Sequence, residues 1–371
     1  MRILHHCSFS EGGLARYAQE QRKALSLIGQ IDCAPLAVKA KRARPLFPGK
    51  LGRGVSFVQN TLNEQKYIAM ETIRVKPDWL FLSSWSEYLA PFWSHRLKKV
   101  RQNGTRIAAL VHDPVRDFVQ GPDWFHQVSI RAAYSFIDLV FLHDASKISW
   151  GGFRNTPPVV EIPHGPYSVS CGAKIQSELK TGLQIPEDAF ALLAFGHIRD
   201  GKNLELLLQA MKKYSKVYLI IAGKEQSSGQ RPVTEYKQIA RDLEVADRCR
   251  WHTGYIPEDK IWEHFTACDA VALTYSSDFR SASGVLNVNA QFKKPVLVSC
   301  GPSPLKKVVQ KYHLGPWVEP DSSTEIERGL EQLVSRPRWP GAEWEAYIKD
   351  HSWEENARRV VEAMEHFDPE N

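Results

Sequence analysis

Short apolar runs alternate along the whole chain with longer stretches of helical period, the pattern of a parallel sheet joined by crossover helices. In the first half the strand-like runs are residues 2–9, 79–82, 106–111 and 139–143. A Gly12-Gly13 turn follows the first of them, and a helix is expected from Leu14. The Pro/Gly stretch Ile162-Pro163-His164-Gly165-Pro166 then reads as a linker. After it the rhythm restarts. Residues 191–195 form a strand, and Leu204, Leu207, Leu208 and Met211 mark one face of the helix behind it. Residues 217–222 are an apolar strand closed by Gly223, with further strands at 250–253, 270–274 and 296–299 and a helical tail at 353–367. The expected fold class is α/β, with two Rossmann-like, doubly wound domains in tandem.

Length agrees, since 371 residues exceed one ordinary α/β core and suit two. The six cysteines are scattered, with no CxxC pair and no histidine at metal spacing. They are expected as buried thiols in a reducing compartment. The N-terminal residues turn polar too early for a signal peptide, and no apolar run approaches the roughly 18–20 residues of a membrane span. A cytoplasmic protein is the expectation.

The formal net charge is +6, but residues 1–165 carry about +9 and the remainder about −3. Two basic runs account for the asymmetry: Lys39, Lys41, Arg42, Arg44, Lys50 and Arg53, then Arg96, Lys98, Lys99 and Arg101. They fit a solvated basic face, and equally an attraction to anionic lipid headgroups at the inner face of a membrane, or to an anionic acceptor. Nucleic acid is not expected as a partner, because no reading motif accompanies the charge.

The segment Phe195-Gly196-His197-Ile198-Arg199-Asp200-Gly201-Lys202-Asn203 follows a strand and precedes an amphipathic helix. Gly196 allows a tight turn, after which Arg199 and Lys202 can aim two cations at one point. A pyrophosphate needs such donors, which strengthen as a leaving phosphate gains charge. In isolation the same pair is compatible with ordinary surface residues. A second segment, Arg280-Ser281-Ala282-Ser283-Gly284-Val285-Leu286-Asn287, opens a helix at Ser283 and Gly284. Free N–H groups there suit a phosphate, although a plain Ser N-cap gives the same pattern. Between them Gly254-Tyr255-Ile256-Pro257 is a turn able to pack on a base, or a simple strand-to-helix connection.

Taken together, FGHIRDGKNLELLLQAM (195–211), LIIAGKE (219–225), GYIPEDKIWEHFTACDAVALTY (254–275) and SGVLNVNAQFKKPVLVS (283–299) resemble the retaining GT-B glycosyltransferases of family four, group 1. The order and spacing of these motifs carry the resemblance over nearly the whole chain. It implies a diphosphate site at Arg199 and Lys202, with the other donor contacts at Gly196, Gly223, Tyr255, Ile256, Ser283, Gly284, Val285 and Leu286. It also implies that the Gly12-Gly13 loop approaches the donor from the other domain, and that His112, at a strand end, faces the transferring sugar. VVEIPHGPY (159–167) resembles the family's interdomain stretch, and HSWEENARRVVEAM (351–364) its closing helix, which crosses back to the N-terminal domain. The implied domains are residues 1–166 with 352–371 on the acceptor side, and 167–351 for the nucleotide sugar, facing a cleft.

The expected activity is therefore metal-independent transfer of a sugar, with retention, from a nucleotide-sugar donor to a glycan, lipid-linked or small-molecule acceptor. No cofactor and no metal are expected. Asp113 and Asp117 are acceptor-side carboxylates without an assigned role. Trp85, Trp93 and Trp124 are expected in the core. One departure from the family matters: the two glutamates that flank the SGVL-like turn in many members are replaced by Arg280 or Ser281 and by Val288 or Asn289. That leaves an alternative, a degenerate GT-B protein that binds a partner without catalysis. A dinucleotide-dependent oxidoreductase is disfavoured by the missing G-x-G-x-x-G after the first strand. A metal-dependent single-domain glycosyltransferase is disfavoured by the missing Asp-x-Asp.

Overall fold

A computed structural model describes residues 1–36, 49–85, 87, 89–112, 122–144, 156–226, 230–336, 339 and 341–368. The chain divides into two compact units, Met1–His164 with Ser352–Asn371, and Gly165–His351. The first contains β1 (Arg2–Cys7), α1 (Gly13–Leu27), β2 (Asp32–Leu36), α2 (Gly49–Val75), β3 (Trp79–Ser84), α3 (Ala90–Gln102), β4 (Arg106–Val111), α4 (Asp123–Tyr134), β5 (Leu139–Leu142) and β6 (Val159–Glu161). The second contains α5 (Gln176–Gly182), β7 (Phe190–Phe195), α6 (Leu204–Ala210), β8 (Val217–Gly223), α7 (Val233–Asp242), β9 (Cys249–Thr253) and α8 (Glu258–Ala267). It continues through β10 (Ala270–Thr274), α9 (Gly284–Phe292), β11 (Val296–Ser299), α10 (Pro304–Lys311), β12 (Trp317–Val318), α11 (Ser323–Val334) and α12 (Trp344–Asp350). The last helix, α13 (Trp353–Glu365), belongs to the first unit.

Each unit is built on a parallel six-stranded sheet, ordered β2-β1-β3-β4-β5-β6 in the first and β12-β11-β10-β7-β8-β9 in the second. Strand order reverses between β1 and β3 in one sheet and between β7 and β10 in the other. In open α/β sheets, ligands bind outside the strands' carboxyl ends at such a reversal. The three strands missing from the sequence pattern, β2, β6 and β12, all lie at sheet edges. Edge strands are short and half-exposed, so they lack an apolar run, and Pro35 in β2 is tolerated only there. β1 ends at Cys7 because the Ser8 amide turns to Ser84 Oγ at 2.9 Å.

β3 shows why the central strands read so clearly. Trp79 and Phe81 point into one layer, and Leu80 and Leu82 into the other. The second layer packs under α3 through Trp93 and Leu97. The first is closed by Tyr17 and Leu25 of α1 and by Ala357, Val360, Val361 and Met364 of α13. Burying those four α13 side chains contributes on the order of several kcal/mol, which holds the end of the chain on the sheet begun at residue 2.

Two expectations need correction. Trp93 is core and Trp85 packs on it, but Trp124 is 67% exposed, since it sits in the first turn of α4, one residue after that helix begins. Cys249, Cys268 and Cys300 are buried thiols, Cys7 and Cys33 are intermediate, and Cys171 is exposed on the loop before α5. Among the described residues no helix is long and apolar enough to cross a membrane. Lys39, Lys41, Arg42, Arg44, Asp113 and Asp117 lie outside the described residues, as do the side chains of Lys50 and Arg53. Of the second basic run, Arg96 donates to the Leu62 carbonyl (3.0 Å) and Arg101 pairs with Asp138 (2.7 Å), while Lys98 and Lys99 are exposed.

Candidate active site

In the second unit the expected donor residues gather at the carboxyl ends of β7, β8 and β10. Three residues of the β7–α6 connection take left-handed backbone: Gly196 (φ 89°), Gly201 (φ 76°) and Asn203 (φ 51°). This winding folds Lys202 back over the strand it follows, so that its Nζ donates to the Phe195 carbonyl at 2.6 Å. The same ammonium lies 3.3 Å from where a Cβ on Gly196 would sit, with Val285 Cγ2 at 3.6 Å. Lys202, Gly196 and the first turn of α9 therefore meet at one point, across the β7/β10 reversal.

The close packing extends sideways. A Cβ on Gly223, at the end of β8, would lie 2.1 Å from the Gly196 carbonyl oxygen, so only glycine fits. The Gly254 amide donates to the Gly223 carbonyl at 3.0 Å, which attaches the Tyr255-Ile256 turn to the same edge. Tyr255 is 71% exposed there and Ile256 half-buried.

The electrostatics are those of an anion site. Burial and the Arg199 charge pull Lys202 down to about 7. His197 is lowered by partial burial and by the cations of Lys202, Arg199 and Lys224. Three cations thus act on one small surface. Ser283 caps α9, its Oγ accepting from the Leu286 amide at 3.3 Å. The amides of Gly284 and Val285 lie in the first turn, where a helix leaves its N–H groups without an intrahelical acceptor, and the Val285 side chain packs beside the Gly196–Lys202 turn. Leu286 itself is 1% exposed, so its side chain belongs to the core. Arg199, Lys202 and Tyr275 also line a cavity of about 20 Å³ beneath this edge, room for a water and no more.

Tyr275 went unnoticed in the sequence. Its ring stacks on Phe279 at 4.0 Å, and its hydroxyl lies 3.3 Å from Ser283 Oγ, bracing the cap of α9. Only its position directly after a strand hinted at a role. Asp200, inside the motif, is turned away: its carboxylate accepts from the Tyr236 hydroxyl (3.0 Å) and the Arg231 amide (3.2 Å). At the positions of the family glutamates, Asn289 is fully buried and donates to the Lys294 carbonyl at 2.7 Å. Arg280 is held by the carbonyls of Ser277 and Phe279.

In the first unit, Gly12 (φ 86°) and Gly13 form the turn between β1 and α1, at the reversal of that sheet. His112 directly follows β4. Its Nε2 lies 3.2 Å from the Ser83 carbonyl. A carbonyl only accepts, so Nε2 carries the proton and Nδ1 presents a lone pair. Burial and the neighbouring His143 hold its pKa down at about 3. His143 follows β5 and His164 follows β6, and the sequence reading missed both. Their signal was a histidine within three residues of the end of each of three successive strands, but β6 itself was unseen.

The two parallel sheets, with the terminal helix returned to the first, are the GT-B fold of glycosyltransferases. A model of the glycosyl transferases group 1 matches residues 175–360, half of the chain, and the chain belongs to that family. A lipopolysaccharide 1,2-N-acetylglucosaminetransferase of Salmonella typhimurium is 26% identical over 219 residues, 56% of this chain and 56% of that protein. The match thus spans little more than half the length of that curated relative. HepE of Anabaena, solved in complex with UDP, superposes with a TM-score of 0.70 at 14% identity, covering 98% of this chain and 99% of its own. WaaG, a glycosyltransferase involved in lipopolysaccharide biosynthesis, gives 0.64 at 13% identity, covering 98% and 100%.

Proposed function

We propose that the protein transfers a sugar from a nucleoside-diphosphate sugar to a glycan, lipid-linked or small-molecule acceptor, with retention and without a metal ion. The observation that carries this reading is the meeting of Lys202, Gly196 and the first turn of α9 at the β7/β10 reversal. Arg199, Lys202 and the amides of Gly284 and Val285 hold the diphosphate. They stabilise it most when the glycosidic bond has broken and the leaving phosphate carries its full charge. Two fixed cations and a helix N-terminus then do what a divalent ion does elsewhere. The exposed Tyr255 packs on the base, with Ile256 beside it.

His112 and the Gly12-Gly13 turn serve the transferring sugar, His112 accepting a sugar hydroxyl at Nδ1. Retention is the stereochemistry that the resemblance to the retaining GT-B enzymes implies, and Asp200, committed to Tyr236 and Arg231, takes no part in the transfer. The departing phosphate oxygen takes the acceptor's proton on the same face. The name of the Salmonella relative supports a glycan acceptor. The basic first half, with Lys98 and Lys99 exposed, supports a place beside an anionic membrane, on its cytoplasmic side.

The test is thermal stability against UDP, GDP, ADP and dTDP and their sugar conjugates without added metal. A ligand at a hundred times its dissociation constant adds about 2.7 kcal/mol. One base should shift the melting point, and Arg199→Ala and Lys202→Ala should abolish both the shift and sugar transfer. If no nucleotide shifts the wild-type protein, the donor site is wrong and a non-catalytic binding protein takes its place.

A further inference from the structure

The backbone passes between the two units only at residues 164–165 and 351–352. His164 ends the outgoing segment, and Trp353 is the second residue of the returning one. Both rest on the same side chain. Tyr17, in the first turns of α1 and 1% exposed, meets the His164 ring at 4.8 Å and the Trp353 ring at 4.9 Å, both edge-on. The His112 ring meets it at 4.8 Å and 87°.

The hydroxyl of Tyr17 is tied to the same two crossings. Asn356, one turn into α13 and fully buried, donates through Nδ2 to Tyr17 Oη (2.8 Å) and to the Pro163 carbonyl (2.6 Å). Its Oδ1 accepts from Gln21 Nε2 at 3.0 Å, one turn further along α1. The outgoing crossing, the returning crossing and α1 are thus joined by one amide. Tyr17 also stands four residues from Gly13, on the helix that the glycine turn begins.

We propose that Tyr17 is a positioning residue: its ring, walled by His164 and Trp353 where the chain leaves and re-enters the first unit, sets the orientation of the His112 imidazole. Among the described residues His112 makes one hydrogen bond, to Ser83, and rotation about that bond is limited by the Tyr17 edge on one side and by the His143 ring at 5.6 Å. Displacing His164 or Trp353 removes a wall from the Tyr17 ring, and the ring's movement reaches His112. This rests on the role given to His112 above.

Hydrogen–deuterium exchange on the full chain, compared for wild type, Tyr17→Phe, Tyr17→Leu and Trp353→Leu, tests the seat without any ligand. Calorimetric affinity for UDP and the kcat for consumption of UDP-glucose or UDP-N-acetylglucosamine form a second arm. Tyr17→Phe keeps the ring but loses the hydroxyl held by Asn356, and its kcat and exchange should fall between wild type and Tyr17→Leu. Tyr17→Leu and the half-buried Trp353→Leu should speed exchange together at the glycine turn and at both crossings, leaving β3 and the second unit unchanged. Each should lower kcat on the order of tenfold with UDP affinity intact. A uniform rise in exchange throughout the first unit, no rise at all, or a parallel loss of kcat and UDP affinity overturns the proposal. If UDP fails to bind wild type, the donor site fails instead, and the exchange pattern still decides the role of Tyr17.

Discussion

Lys202 illustrates how a single residue can be placed against its own solvation. Its folded pKa, about 7, lies well below the ordinary lysine value of 10.5. A depressed lysine carries its desolvation penalty in full below pH 7, and sheds it as pH rises from 7 towards 10.5. An incoming diphosphate restores the charge. Binding of a UDP-sugar, whose diphosphate has no ionisation in this range, should therefore take up close to one proton at pH 8.5 and far less at pH 5.5, as measured by calorimetry in buffers of different ionisation enthalpy. Lys202→Met should bind no UDP, yet melt higher than wild type at pH 6, because the penalty is gone. His112 makes the opposite point. With its pKa near 3 it stays neutral across the working range. The kcat–pH profile should accordingly show no limb near 6.5 that His112→Asn removes; such a limb would mean that the imidazole is charged in the cycle. Arg199 and Lys202 were legible from sequence because two cations sat after a strand and a glycine. Asp200 lay between them and could not be told apart until its partners Tyr236 and Arg231, from distant elements, were seen.

At the scale of elements, the glycines decide whether the carboxyl ends of β7 and β8 can pack as they do, and with them the proposed donor site. Gly196→Ala puts a side chain into left-handed backbone, which costs roughly 1–2 kcal/mol, and against the Lys202 ammonium at 3.3 Å. UDP affinity should fall at least about tenfold with the protein still folded. Gly223→Ala meets backbone instead, at 2.1 Å from Gly196 oxygen, and β7 and β8 must part. Loss of both stability and binding is expected, read as a fall in the urea midpoint together with the calorimetric signal. The central strands and the helix after β7 could be read from periodicity, since both faces of each sheet are covered and the apolar residues follow suit. The edge strands β2, β6 and β12 could not, because β6 and β12 are only three and two residues long and β2 is partly exposed and interrupted by Pro35, whereas the edge strand β9 was legible.

For the whole molecule, the decisive feature is that the last helix completes the first sheet's core. Removing residues 352–371 uncovers Tyr17, Leu25 and Phe81 and deletes Asn356, although the helix begins 192 positions after β6 ends. Limited proteolysis of that truncation should degrade the first unit and leave the second as a protected fragment; survival of both would show that α13 is dispensable. What the sequence alone determined was the kind of architecture and the glycine turn after β7 that brings Lys202 back over its strand, because alternating burial and local turn chemistry act within a few residues and leave their mark there. The tertiary structure alone decided that Asp200 faces away, that Trp124 is exposed, and that Tyr17 gathers His112 and both crossings. Those outcomes depend on which distant side chains arrive to complete a hydrogen bond or fill a space, and no local pattern encodes a partner's arrival.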